Sequence, residues 1–501
     1  MVFSSVSFLV FFLPCLLVLY FIVPQRYRGA RNLILLAFSL AFYACGGPKF
    51  LLLMLLSIAV NYCCGLLAGP KHRPAVRKTG VTLAVVLELG LLGRFKYEGF
   101  FGEMLHALMP FLPVPQVTLP IGISFFTFQG LSYVIDVFRD DAAVQKNPLK
   151  LALYISFFPQ LVAGPIVRYT TVADEIDERQ ESVSEFSAGA VRFLFGLAKK
   201  MLLANAVAQV ADAAFSAVSP SVALAWLGAV AYTFQIYFDF SAYSDMAIGL
   251  GRMFGFHFLE NFNYPYVSRS ITEFWRRWHI SLGAWRRDYL FYPLALSKPF
   301  GRLAQFCRRH MPLDAAKCIV PSLCTFLVFL AVGVWQGPGM ANIAYGLWNG
   351  FWMSLAMFRA PIRKHLRLSP EDPKKGALVW GVVRTNLLVI IGRYFSNASS
   401  LRSALGMLKQ TVLHFGVTRV HAALFTELGF SLSVLWKVVP MLGVVFAVSF
   451  AAERGTDVAR WLCERKWLVQ FLILFVALLT VVLFVYGNAG YTPIAYVYEN
   501  V

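Results

Sequence analysis

The sequence predicts an all-α integral membrane protein, a bundle of about ten to twelve membrane-embedded helices. Three observations carry that reading. Of its 501 residues, 58% are hydrophobic and 14% charged, with 46 Phe, 21 Tyr and 11 Trp, an apolar and aromatic content well above that of a soluble domain. Apolar stretches near the ~20 residues that cross a bilayer recur from end to end, at 7–23, 51–69, 80–93, 222–238, 319–335, 378–392, 434–451 and 467–486. The longest polar stretches, 169–187, 296–317 and 361–377, are only loop-sized. No soluble domain can be cut out, and residues 1–501 read as a single membrane domain.

The first apolar segment follows Met-Val-Phe-Ser-Ser without a basic lead and carries its basic residues behind it, so it reads as a retained span rather than a cleaved signal. The formal net charge of +19 would suit a nucleic-acid partner in a soluble protein, but here the Lys and Arg residues sit in short connections. That placement excludes nucleic acid and sets topology. Arg26, Arg28 and Arg31 occupy one connection, Lys49 alone the next, and Lys71, Arg73, Arg77 and Lys78 the one after. Positive-inside bias then puts the N-terminus outside and the connections at 24–31 and 69–79 in the cytoplasm. Eight Cys lie mostly inside apolar runs with no CxxC pair, which indicates neither a disulfide framework nor a zinc site.

The centre, residues 120–350, carries many polar and ionisable residues among its apolar ones, and charge at membrane depth marks candidate sites. Gly164-Pro165 and Pro120 interrupt apolar stretches, as in helices kinked for packing or broken beside a cavity. Glu88, an isolated acid in VTLAVVLELGLL, needs a partner or a proton.

Residues 270–289, SITEFWRRWHISLGAWRRDY, fit one helix. Ser270 and Glu273 make an S-x-x-E capping box. Ile271, Phe274, Trp275, Trp278, His279, Leu282 and Trp285 fall at helical intervals on one face, with Arg276, Arg277 and Arg286 opposite, as on a helix at the cytoplasmic interface. His279 on that face is either a hydrogen-bonded packing residue or a general base with a pKa near neutrality.

Together with GISFFTFQGLSYVIDVFR (122–139), FFPQLVAGPIVRY (157–169), TFQIYFDFSAYSDMAIG (233–249) and NFNYPYVSRSITEFWRRWHISLGAWRRDYLFYPL (261–294), the segment resembles the membrane-bound O-acyltransferase family. The similarity is to the bacterial branch that O-acetylates alginate and D-alanylates teichoic acid. The matching motifs run from about residue 120 to 350 in family order, while the ends match mainly in hydropathy.

The resemblance implies a multi-helix bundle around a central tunnel or funnel. Its chemistry is acyl transfer, acetyl above all, from a cytoplasmic thioester donor to a hydroxyl of an exported polysaccharide or envelope polymer. It further implies an acyl-CoA or acyl carrier protein as co-substrate, no tightly bound cofactor or metal, a bacterial cytoplasmic membrane, and a separate extracytoplasmic acyltransferase partner. Two polar positions are the family's signature: His279 matches one, and the other aligns with GVWQG at 333–337. Gln336 therefore stands where the bacterial branch has its principal histidine, beside Trp335, and the two positions are expected to face one cavity.

A carboxamide donates and accepts hydrogen bonds but cannot carry an abstracted proton. Gln336 leaves three readings: an engineered inactive variant, a natural relative with altered or lost chemistry, or an enzyme whose base is His279 alone. Asn349 in GLWNG, where many relatives have another His, is a second departure and otherwise a helix-packing amide. Asp239, Ser241, Tyr243 and Asp245 match the family's DFSGYSD run, with Ala242 for its Gly; they read as substrate-orienting groups or as structural partners of neighbouring Arg or Tyr. Arg276, Arg277, Arg286 and Arg287 read as a docking patch for a phosphate-bearing donor or as topological anchors. The alternative function is a catalytically inactive scaffold or acyl conduit.

Overall fold

The computed structural model describes residues 2–115, 117–216, 222–365 and 375–413, together with scattered positions between 443 and 479. Among these residues the secondary structure is helical, with one isolated bridge between Phe262 and Trp278 and no strand. Five helices are long and apolar enough to cross a membrane: Pro48–Ala68, Val183–Ser216, Val222–Met253, Leu313–Gln336 and Gly376–Asn397. Shorter apolar helices cover Ser7–Ile22 and Ile123–Phe138, and the expected stretch at 80–93 lies inside a helix running Pro74–Leu108. The chain is a multi-pass membrane protein. The stretches expected at 434–451 and 467–486 lie largely outside the described residues.

Helix starts follow the proline signal, with Pro48 and Pro74 in the first turn, where a missing N–H leaves no bond unmade. Contacts divide the chain into two units. The described residues of Met1–Met201, Asp239–Glu260 and Leu474–Val501 form one, and those of Leu202–Phe238 and Asn261–Ile473 the other.

The first unit centres on Ile123–Phe138, nearly all of whose residues are buried. Gly122, at φ +73°, starts that helix, and a Cβ there would lie 2.4 Å from the Leu161 carbonyl oxygen, so only glycine fits. Glu88 finds its partners in this unit: Ser57 Oγ and Asn61 Nδ2 each donate to Oε1 at 2.7 Å, and Thr127 Oγ1 donates to Oε2 at 3.2 Å. These donors from two neighbouring helices satisfy a carboxyl that would otherwise be costly at membrane depth. Arg28 and Arg31, expected only as topology-setting charges, also pair with Glu181.

In the second unit the Leu313–Gln336 and Met340–Met357 helices cross at glycines. A Cβ on Gly333 would lie 2.6 Å from the Asn342 carbonyl oxygen and 2.8 Å from Gly346 Cα. This is the small-residue contact that lets apolar helices approach closely in lipid.

Candidate active site

The 270–289 segment is not one helix. It forms Ile271–Arg277, breaks at Trp278 and His279, and resumes as Ile280–Arg286. The Ser270 half of the capping box forms, Ser270 Oγ accepting from Glu273 N at 3.2 Å, while Glu273 reaches back one residue further, its Oε2 accepting from Arg269 N at 2.8 Å. Trp278 is extended, bridged to Phe262, and His279 adopts the left-handed conformation at φ 46°, ψ 59°, which costs a non-glycine residue about 1–3 kcal/mol. In a continuous helix residues 278 and 279 would diverge by about 100°; the break buries both, each 2% exposed. The rest of the expected face, Ile271, Phe274, Trp275, Leu282 and Trp285, is buried too. Each piece is seven residues long, about 10 Å, too short to cross a bilayer.

The turn is built on Asn261. Its carbonyl oxygen accepts from Ile280 N at 2.9 Å, and its side-chain Oδ1 accepts from Ser281 N at 3.2 Å and Ser281 Oγ at 2.9 Å. A backbone N–H only donates, so that side-chain atom is the oxygen. The same Oδ1 lies 3.0 Å from His279 Nδ1, which must therefore carry the proton. In neutral imidazole the basic lone pair is then on Nε2.

Burial first, and the nearby Arg286 charge second, hold the His279 imidazole far below its ordinary range, at about 3. This corrects the expectation of a pKa near neutrality: in this environment the ring is uncharged at working pH. Arg286 is corrected with it. Instead of lying on an outer basic face with Arg276, which is exposed, its guanidinium sits 4.3 Å from the Phe329 ring centre and 5.2 Å from that of Trp275. Burial lowers its pKa to about 10. Arg277 bonds Glu273 at 2.8 Å, and exposed Arg287 bonds Asp288 at 2.7 Å.

Arg393, in the Lys375–Asn397 helix, is a neighbour of the turn that the motif reading missed. It is 1% exposed, its guanidinium lies 4.8 Å from the Trp278 ring centre, and its Nη1 donates to the Tyr345 hydroxyl at 3.3 Å. It also hydrogen-bonds Tyr266. Phe274 stacks on Trp278 at 5.6 Å, and Phe262 meets it edge-on at 5.1 Å. The signal was there in VIIGRYF: a lone arginine in an apolar run. Asn261 had no comparable signal.

Gln336 is the last residue of the Leu313–Gln336 helix, ahead of extended Gly337. Its side chain is half-buried, and among the described residues none hydrogen-bonds it; the helix end, partly open, lifts the demand for a partner that an apolar run suggested. Trp335 is buried. Asn349 is buried and its Nδ2 donates to the Tyr345 carbonyl at 2.8 Å, four residues back on its own helix.

The DFSAYSD residues belong to the other unit. Asp239 pairs with Lys200 at 2.5 Å, both essentially buried. Asp245 pairs with Lys199 at 2.6 Å and Arg192 at 3.0 Å, and Arg192 also holds Glu260 at 2.5 Å. Both lysines lie in a π-helical turn, Lys199–Ala204, an irregularity that recurs at functional sites. Ser241 is buried, and Tyr243 is buried and stacks on Phe3 at 4.8 Å.

Residues 104–308 match the family described as MBOAT, membrane-bound O-acyltransferase family. A probable alginate O-acetylase of Pseudomonas syringae pv. tomato is 41% identical over 425 residues, covering 83% of this chain and 76% of that protein. A peptidoglycan O-acetyltransferase of Helicobacter pylori is 32% identical over 452 residues, covering 84% and 81%. A teichoic acid D-alanyltransferase of Bacillus subtilis is 29% identical over 302 residues, covering 58% and 73%.

Proposed function

Since the chain belongs to the membrane-bound O-acyltransferase family, we propose that it transfers an acetyl group from a thioester donor on the cytoplasmic side to a hydroxyl of an exported polysaccharide or cell-envelope polymer. The observation that carries this reading is the His279 turn, a strained, buried, neutral imidazole with its tautomer set by Asn261, inside the matching segment. The relatives supply the substrate class, two of them acting on alginate and peptidoglycan by name. In this reading the acceptor O–H gives its proton to His279 Nε2 as the oxygen attacks the thioester carbon. The carbonyl oxygen becomes an oxyanion, and its collapse expels a thiolate that recovers the proton from the imidazolium.

Gln336 faces the same reacting groups and contributes hydrogen bonds without proton transfer. A histidine there would offer a second group able to take the acceptor proton, so turnover with Gln336 is expected to be slower. The protein sits in a bacterial cytoplasmic membrane with its N-terminus outside and works with a separate extracytoplasmic acyltransferase. The donor is acyl-CoA or an acyl carrier protein.

The test is ester formation on envelope polysaccharide in cells expressing this sequence, Gln336→His or His279→Ala, with neighbouring envelope genes present. Expected are weak ester formation for the parent, a rise for Gln336→His and loss for His279→Ala. Gln336 itself favours a second reading, an inactive scaffold or acyl conduit, which gains if neither parent nor Gln336→His forms ester while both are folded in the membrane.

A further inference from the structure

Arg286 is a cation in an apolar corner. The Trp275 and Phe329 rings, edge to face at 5.0 Å, form the angle in which its guanidinium rests. Among the titratable groups only Tyr345 favours its charge, and no described carboxylate pairs with it. A half-buried guanidinium against apolar rings without a counter-charge is costly. Held over the two rings, it leaves N–H donors for an anionic oxygen, ideally a bidentate one. Arg286 closes the seven-residue helix that His279 caps, and its charge bears on the imidazole, so an oxygen held by it lies within electrostatic reach of that ring.

We propose that Arg286 is the anion-binding residue of this site, presenting its guanidinium edge to an anionic oxygen next to His279. The inference rests on the acyl-transfer reading above for the identity of that oxygen: the oxyanion on the acyl carbon or a phosphate of the thioester donor. Sequence reasoning placed Arg286 on an outer basic patch, whereas its aromatic seat assigns it to the site itself. An anion there also offsets the charge that weakens His279 as a base.

Two measurements on the full-length protein in detergent test it. Calorimetry with inorganic phosphate as probe needs no turnover: Arg286→Gln is expected to weaken binding about 10-fold or more, and Arg286→Lys, a cation without the planar fork, by less. Unchanged phosphate binding in Arg286→Gln overturns the proposal, and Arg286→Lys serves in its place if the Gln variant does not fold; binding equal to the parent's when the Lys variant has lost the fork counts against it in that case. Steady-state rates with acetyl-coenzyme A then separate the sources: a fall in kcat at constant KM identifies the oxyanion, and a rise in KM for the donor identifies its phosphates. Full activity of His279→Ala with phosphate binding still lost in Arg286→Gln would reject the His279 mechanism and leave the anion site standing.

Discussion

The side-chain oxygen of Asn261 lies 3.0 Å from Nδ1 of His279, and the same oxygen takes two further hydrogen bonds from Ser281. A single amide thus holds the imidazole's tautomer and the start of the helix that follows it. Replacing Asn261 by Ala removes both functions. Acyl-transfer rate is expected to fall about 10–100-fold, as for other groups that orient a reacting histidine. Asn261→Asp keeps the acceptor and adds negative charge, so it is expected to retain more activity than Ala; equal loss in the two would argue against an orienting role.

Folded His279 stays neutral down to about pH 3, while an unfolded histidine takes up a proton below about 6.5. Between those values the unfolded state binds more protons, so stability falls as pH drops through that window, by about 1.4 kcal/mol per unit from this group. Thermal unfolding in detergent is expected to show a decline below pH 6.5 that is shallower in His279→Gln.

Arg393 acts on the turn through the Trp278 ring. Arg393→Met keeps much of the bulk and loses the charge and the Tyr345 bond, and a misplaced His279 can lower kcat by up to about 10². The expected pattern is a fall in kcat with KM held and partial recovery in Arg393→Lys; a change in thermal stability alone would make the residue purely structural.

Lys200 and Asp239 pair in the dry interior of their unit. Lys200→Met removes the ammonium group from a buried carboxylate and is expected to cost about 3–5 kcal/mol. The double variant with Asp239→Leu should recover most of that loss in a thermal melt. If activity stays low after stability returns, the pair does more than hold helices together.

Glu88 is the acceptor for Ser57, Asn61 and Thr127. Glu88→Ala leaves buried donors unmet at about 1–3 kcal/mol apiece, whereas Glu88→Gln retains one acceptor oxygen and should lower the unfolding temperature less.

Membrane class, the helical elements and the aromatic face at residues 271–285 were legible in the sequence because hydropathy and periodicity are properties of neighbouring residues. The Ser270 half of the capping box was legible for the same reason: its partners are three residues apart. The break at His279 was not, since what stabilises the left-handed turn is Asn261, 18 residues away, and Trp278 held against a distant arginine. Arg286 shows the difference most plainly. Its place on the helix wheel put it outside, and the interrupted helix put it against Phe329.

The sequence by itself determined that this chain crosses membranes and which segment carries the candidate histidine, His279. Only the tertiary structure decided the charge and tautomer of that histidine and which arginine lies beside it. Solvation by lipid is read one side chain at a time, whereas the pairing of polar groups in a dry interior depends on which helices meet, and adjacent residues do not encode that.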